Sequence, residues 1–326
     1  MHEVALSVVE SLLCMLPILA GATLHDKPHF FKGLPLYDKQ TEYGEAHRPK
    51  PSAVLTWFNS WSSLGYWYAG VFTLDDIVRR VLDRAPQNCP DAFPIWHVAL
   101  GLALLWTGAA SFLFHASLTE RWRMLDAGAT MGVTCWSTGA TLHRALRSSF
   151  GAMPLVELVL FLLASCGFVG CHRLARQRGW SDIVLVGNLV ASLIIEWTWL
   201  YAYKTSADVD SHAMYVSLML IGVGLRALDV ERRRLPESLA LIRRVAWTGH
   251  SLWHLLTSAA IVVLVIASNR SVEPFCTSAG TPAEAAAGTL RCASPASINS
   301  HPHVVKPQRP LFNRLSASFR AGECRR

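Results

Sequence analysis

The chain has 326 residues, 52% of them hydrophobic and only 16% charged, with a mean hydropathy of +0.28. Ordinary soluble domains carry about 25% charged residues, so this deficit argues against a soluble protein and for a bilayer. The formal charge of +7 does not imply nucleic acid, because basic loops between apolar spans set membrane topology instead. The eight Cys form no Cys-x-x-Cys pair, which leaves neither a cysteine zinc site nor a thioredoxin-type motif.

Residues 1–23 hold the first apolar run, Val4 to Thr23. Ala20-Gly-Ala22 could serve as a signal-peptidase site, but Met1-His-Glu3 lacks a basic n-region, and Glu10 interrupts the run. A signal peptide and a retained span both remain open on these residues. A polar, basic loop follows at 24–51. Seven spans are predicted within 52–268: Ser52–Phe72, Phe93–Ala116, Met124–His143, Pro154–Cys171, Ser181–Tyr203, Ser211–Val230 and a last one from Arg244 to Ile266. Nothing alternates as a barrel strand does, and lipid leaves a lone backbone segment only the helix. The predicted class is therefore all-α: a polytopic seven-transmembrane helix bundle with an extra N-terminal span or signal anchor. The composition of 269–326 shifts to Pro, Ala, Ser and Gly without periodicity, which predicts a disordered tail.

Lys and Arg divide unevenly between the two ends of the spans. Fifteen lie on the side of the 24–51 loop, including Arg121, Arg123, Arg173 and Arg232-Arg-Arg234, against seven on the other. The positive-inside rule places the richer side in the cytoplasm. That orientation fits a retained N-terminal span better than a cleaved one.

The residues that carry chemistry gather at this basic side. The last span opens His250-Ser-Leu-Trp-His254, two imidazoles at i and i+4 on one helical face. The second ends Ser111-Phe-Leu-Phe-His115, with hydroxyl and imidazole again one turn apart. After a short loop, Glu120-Arg-Trp-Arg123, Asp126 opens the third. Antiparallel neighbours bring these three ends to one membrane face, and an ionisable group at that depth needs a partner. Three His with an open position is the arrangement of a catalytic zinc; hydrogen-bonded histidines packing a helix interface are the simpler alternative. Asp126 could then orient a ligand or act as base toward water on the metal.

Together these blocks resemble the signature of the CREST superfamily, seven-span membrane hydrolases that include alkaline ceramidases, adiponectin/progestin-type receptors and Per1-type GPI-anchor remodelling proteins. Trp57-Phe-Asn59-Ser-Trp-Ser62 is similar to the Asn-x-x-Ser element of the ceramidases' first span. The resemblance covers roughly Ser52 to Ser268. It implies zinc held by His115, His250 and His254, with Ser111 and Asp126 as the catalytic pair. It further implies a ceramide-like membrane lipid as substrate, cleaved at its amide to sphingosine and a fatty acid, in the endoplasmic reticulum or Golgi, while the Lys and Arg count places the catalytic face in the cytoplasm.

Three departures matter. The ceramidases' acidic calcium-binding block has no counterpart: Thr56 stands in place of a Glu three residues before Asn59, and Asp38, Glu42 and Glu45 are scattered among basic residues. Calcium is therefore not expected as a cofactor. The usual Asp-Glu pair at the third span is Asp126-Ala127. Thr119-Glu120 is closer to the Per1 type, whose Cys-rich domain is missing. The alternatives are a Per1-like esterase and a receptor-like lipid-binding protein. Glu157 and Glu196 read as carboxyls bonded to neighbouring helices, and Asp75, Asp76, Arg79 and Arg80 as a solvated helix end.

Overall fold

The computed structural model describes residues 2–25, 31, 34–35, 56–83, 95–150, 153–176, 180–203, 206–231, 236–239 and 248–278. The chain divides into two units, Met1–Ser278 and Ala279–Arg326; the second lies outside the described residues, and with it most of the expected tail. Among the described residues there are eight long helices, each over one predicted apolar segment: α1 His2–His25, α2 Trp57–Asp83, α3 Ile95–Ser117, α4 Glu120–Phe150, α5 Pro154–Leu174, α6 Trp180–Tyr203, α7 Ser206–Glu231 and α8 Gly249–Ser278. A short 3₁₀ turn, Glu237–Leu239, precedes α8. The described residues are almost all helical.

Among the described residues, three helical stretches are long and apolar enough to cross a membrane: α3, α5 and Gly249–Ile266 of α8. α5 makes the strongest case. It is the most hydrophobic of the three and the least buried, with Leu155, Leu158, Leu163 and Val169 all more than half exposed. A continuous apolar exterior of that length suits lipid rather than water. α2 is less apolar because Asn59, Ser60, Ser62 and Ser63 are turned inward and buried.

The core lies where α2, α3, α4 and α8 meet. Tyr66, Trp96, Leu100, Leu104, Trp136 and Ile261 pack there, and Ala164 of α5 closes one side. Small residues let α2 and α3 approach closely, as in membrane helix pairs: a Cβ on Gly108 would stand 2.6 Å from the Trp67 backbone nitrogen. α7 joins α8 through Tyr215, Met219, Ala260 and Leu264. α1 docks on α2, where the Trp67 indole N–H donates to the Leu13 carbonyl at 3.0 Å. Arg79 links Glu10 at 3.0 Å to its own-helix neighbour Asp75 at 2.7 Å. The solvated helix end predicted at Asp75–Arg80 is thus partly a docking contact, and it gives Glu10 of the first apolar run a partner.

Several boundaries differ from those expected, α2 reaching Asp83 and α4 Phe150, and two of the differences have a clear physical reason. Glu120–Arg123, expected as a loop, is the first turn of α4, held by a bidentate Arg123–Glu120 pair with contacts of 2.7 and 3.0 Å. An acidic residue at a helix N-terminus with a cation three residues on favours helix. The reversal is therefore compressed into Leu118 and Thr119. Leu118 takes φ 47°, a left-handed conformation costing a non-Gly residue roughly 1–2 kcal/mol, and is fully buried against Phe114 and Trp122. The second difference is α8, which runs ten residues past the tail boundary expected at Ser268. Once formed, a helical ladder adds residues at low cost, so composition marks its end poorly.

Candidate metal centre

α3 ends at the basic side with Ser111 and His115, α4 starts there, and α8 enters with His250 and His254. The close turn at Leu118 keeps the start of α4 against the end of α3. His115, His250 and His254 are all buried, and their candidate ligand atoms lie within 4.8 Å of one another. The Nε2 atoms of His115 and His250 are 3.1 Å apart. The His254 ring centroid lies 4.6 Å from that of His250 and 5.2 Å from that of His115. Two imidazole nitrogens sharing a tetrahedral ion at about 2.0–2.1 Å stand about 3.3 Å apart, so the spacing fits one metal ion between them. Three neutral donors with no carboxylate among them suit a borderline transition metal better than calcium or magnesium. The triad could hold a metal ion.

α2 furnishes the surroundings of His254. Its Nδ1 lies 3.1 Å from the Ser62 hydroxyl and 3.2 Å from that of Ser63, which leaves Nε2 as the nitrogen available to a metal. Such partners fix the tautomer of a ligand imidazole. The Ser63 hydroxyl is also 3.0 Å from that of Ser111, and Ser111 interacts with the Asp126 carboxyl. One chain of polar groups therefore runs from His254 through Ser63 and Ser111 to Asp126. On the other flank the Ser251 hydroxyl donates to the Asn59 side-chain oxygen at 2.6 Å. Thr56 donates through its hydroxyl to the His115 carbonyl at 2.6 Å, and its backbone N–H reaches the same oxygen at 3.2 Å. At the position where a ceramidase would carry a calcium-binding Glu, the structure thus has a side chain that anchors the C-terminal end of α3. Asp38, Glu42 and Glu45 lie outside the described residues.

All five sequence-predicted residues, His115, His250, His254, Ser111 and Asp126, come together. Sequence reasoning missed Ser63, Tyr66, Thr257 and Arg226. Tyr66 packs edge-on to His254 at 5.8 Å between centroids and hydrogen-bonds Thr257 at 2.6 Å. Arg226 of α7 places its guanidinium 5.6 Å from the centre of the Trp253 ring, and its charge reaches His250, His254 and Asp126. The signal for the α2 residues was their spacing: Asn59, Ser62, Ser63 and Tyr66 fall at i, i+3, i+4 and i+7, one helical face. For Arg226 it was a lone cation within an apolar helix. Glu157 lies apart, 3.5 Å from His143 across α4 and α5, in keeping with a carboxyl bonded to a neighbouring helix; the Glu196 side chain lies outside the described residues. No protein-family model matches the chain, and no curated protein does either.

Proposed function

We propose that the protein is a zinc-dependent intramembrane lipid amidase of the CREST type, hydrolysing a ceramide-like N-acyl sphingoid base to sphingosine and a fatty acid. The observation that carries this reading is the junction of the buried His triad, through Ser63, to Ser111 and Asp126. A structural metal needs neither a hydroxyl nor a carboxylate beside it, so their presence favours an enzyme over a receptor-like binding protein. His115, His250 and His254 would hold the ion. Bound there, zinc supplies a Lewis acid for a carbonyl and lowers the pKa of water toward about 7.

The chain's own residues supply the rest. Asp126 takes the proton of the attacking water as the C–O bond forms, and returns it to the amine nitrogen as the C–N bond breaks. Ser111 donates a hydrogen bond to the developing oxyanion. The helices form a seven-span bundle with α1 as an eighth, retained span, a reading that the docking of α1 on α2 supports. The centre lies at the cytoplasmic face. Substrate enters laterally from the bilayer.

Cells expressing the wild type are compared by lipidomics with cells expressing His254→Ala. The wild type should lower ceramides and raise free sphingoid bases, and the variant should do neither. Ceramides unmoved by the wild type, with an ester-linked lipid depleted instead, would transfer the chemistry to a remodelling esterase.

A further inference from the structure

Two adjacent hydroxyls serve a single imidazole nitrogen, and that duplication has a use. Each hydroxyl carries one hydrogen and can accept two hydrogen bonds. Ser62 donates to the Asn59 carbonyl at 3.1 Å, and Ser63 to the same carbonyl at 2.7 Å. With His254 Nε2 given to the metal, Nδ1 carries the ring hydrogen, and both oxygens have lone pairs for it at 3.1 and 3.2 Å. The Asn59 carbonyl itself also interacts with His254. Only Ser63 has another neighbour, the Ser111 hydroxyl at 3.0 Å. All four side chains are buried, so water does not take up a hydrogen that lacks a partner here.

Ser111 also has one hydrogen, and two acceptors compete for it: Ser63 and Asp126. While Ser63 points its own hydrogen at Asn59, it draws that of Ser111 toward itself. When Ser63 rotates to donate to Ser111 instead, it stops being an acceptor for Ser111, whose hydrogen is left to Asp126 or to a substrate oxygen. Ser62 meanwhile keeps the Asn59 carbonyl satisfied and His254 in place.

We propose that the paired hydroxyls divide two tasks: Ser62 and Ser63 together hold the ligand His254, and Ser63 alone turns between Asn59 and Ser111, releasing the Ser111 hydrogen for the substrate. Ser63 is thus a positioning residue. As Asp126 gains the proton of the attacking water, its pull on the Ser111 hydrogen falls, which favours donation to the oxyanion at the moment it forms. This kinetic half rests on the hydrolase reading; the metal half does not.

The test compares Ser62→Ala, Ser63→Ala and the double variant, purified as full-length protein in detergent. Zinc retention is read by titration with a soluble chelator, without substrate. Each single variant should hold zinc within about threefold of wild type, because one hydroxyl remains, and the double variant at least about tenfold less tightly, in the range seen when outer partners of a ligand His are lost. Hydrolysis of N-acylsphingosine is read in parallel. Ser63→Ala should have a kcat at least about tenfold below that of Ser62→Ala at similar KM, the scale of a weakened oxyanion donor, and Ser63→Thr should recover most of it. A double variant that holds zinc like the wild type, or a Ser62→Ala as slow as Ser63→Ala, overturns the proposal. The two single variants decide it even if the double variant does not fold. A wild type that binds zinc and hydrolyses nothing sinks the hydrolase reading separately.

Discussion

Asp126 carries the heaviest assignment of any single residue. It lies on α4 and reaches the centre through Ser111. A group that moves protons without binding the metal should be separable from it. Asp126→Asn keeps the shape and the hydrogen-bonding reach, so zinc content should stay near that of the wild type while kcat falls about 10²- to 10⁴-fold, the usual worth of a positioned base. Turnover and metal measured on the same preparation check this; full activity in the variant would reassign Asp126 to structure. The five site residues were legible because imidazoles and carboxyls are conspicuous in an apolar sequence and their i, i+4 spacing fixes a common face. Ser63 was not, since hydroxyls in a spanning helix ordinarily bond the carbonyl a turn back, and Ser62 was legible only through the Asn-x-x-Ser resemblance. Only the packing of α2 on α8 shows that they also face His254.

At the scale of elements, the site depends on how closely the helices approach. Gly108 lies two turns before His115 on the face of α3 that meets α2. A methyl there would collide with the Trp67 backbone, which cannot turn aside as a side chain could. Gly108→Ala should therefore destabilise the fold by about 1–3 kcal/mol, as overpacking does, and displace His115, so that the thermal midpoint falls and zinc is released at lower chelator concentration. A midpoint equal to that of the wild type would mean that α2 and α3 do not pack so closely. Apolar runs placed all eight helices, since a stretch of about 20 apolar residues is a robust signal. They could not place the α3–α4 reversal. That boundary depends on the Glu120–Arg123 pair and on a left-handed Leu118 held by Phe114 and Trp122, and composition does not report such contacts.

For the whole molecule, the proposed reading puts the triad's end of the helices in the cytoplasm, on the charge asymmetry of the sequence. A cysteine introduced at Glu120, in a background without other reactive thiols, should label from the cytoplasmic side of sealed vesicles. Labelling from the lumen alone would reverse the topology and restore a cleaved leader as the account of α1. Every part of this reading nevertheless hangs on the triad holding a metal. Elemental analysis of the purified protein tests that most directly. About one zinc per chain is expected in the wild type, from three converging imidazoles with an open fourth position, and most of it should be lost in His115→Ala. A wild type without zinc, or a His115→Ala variant that retains its full complement, would contradict the account.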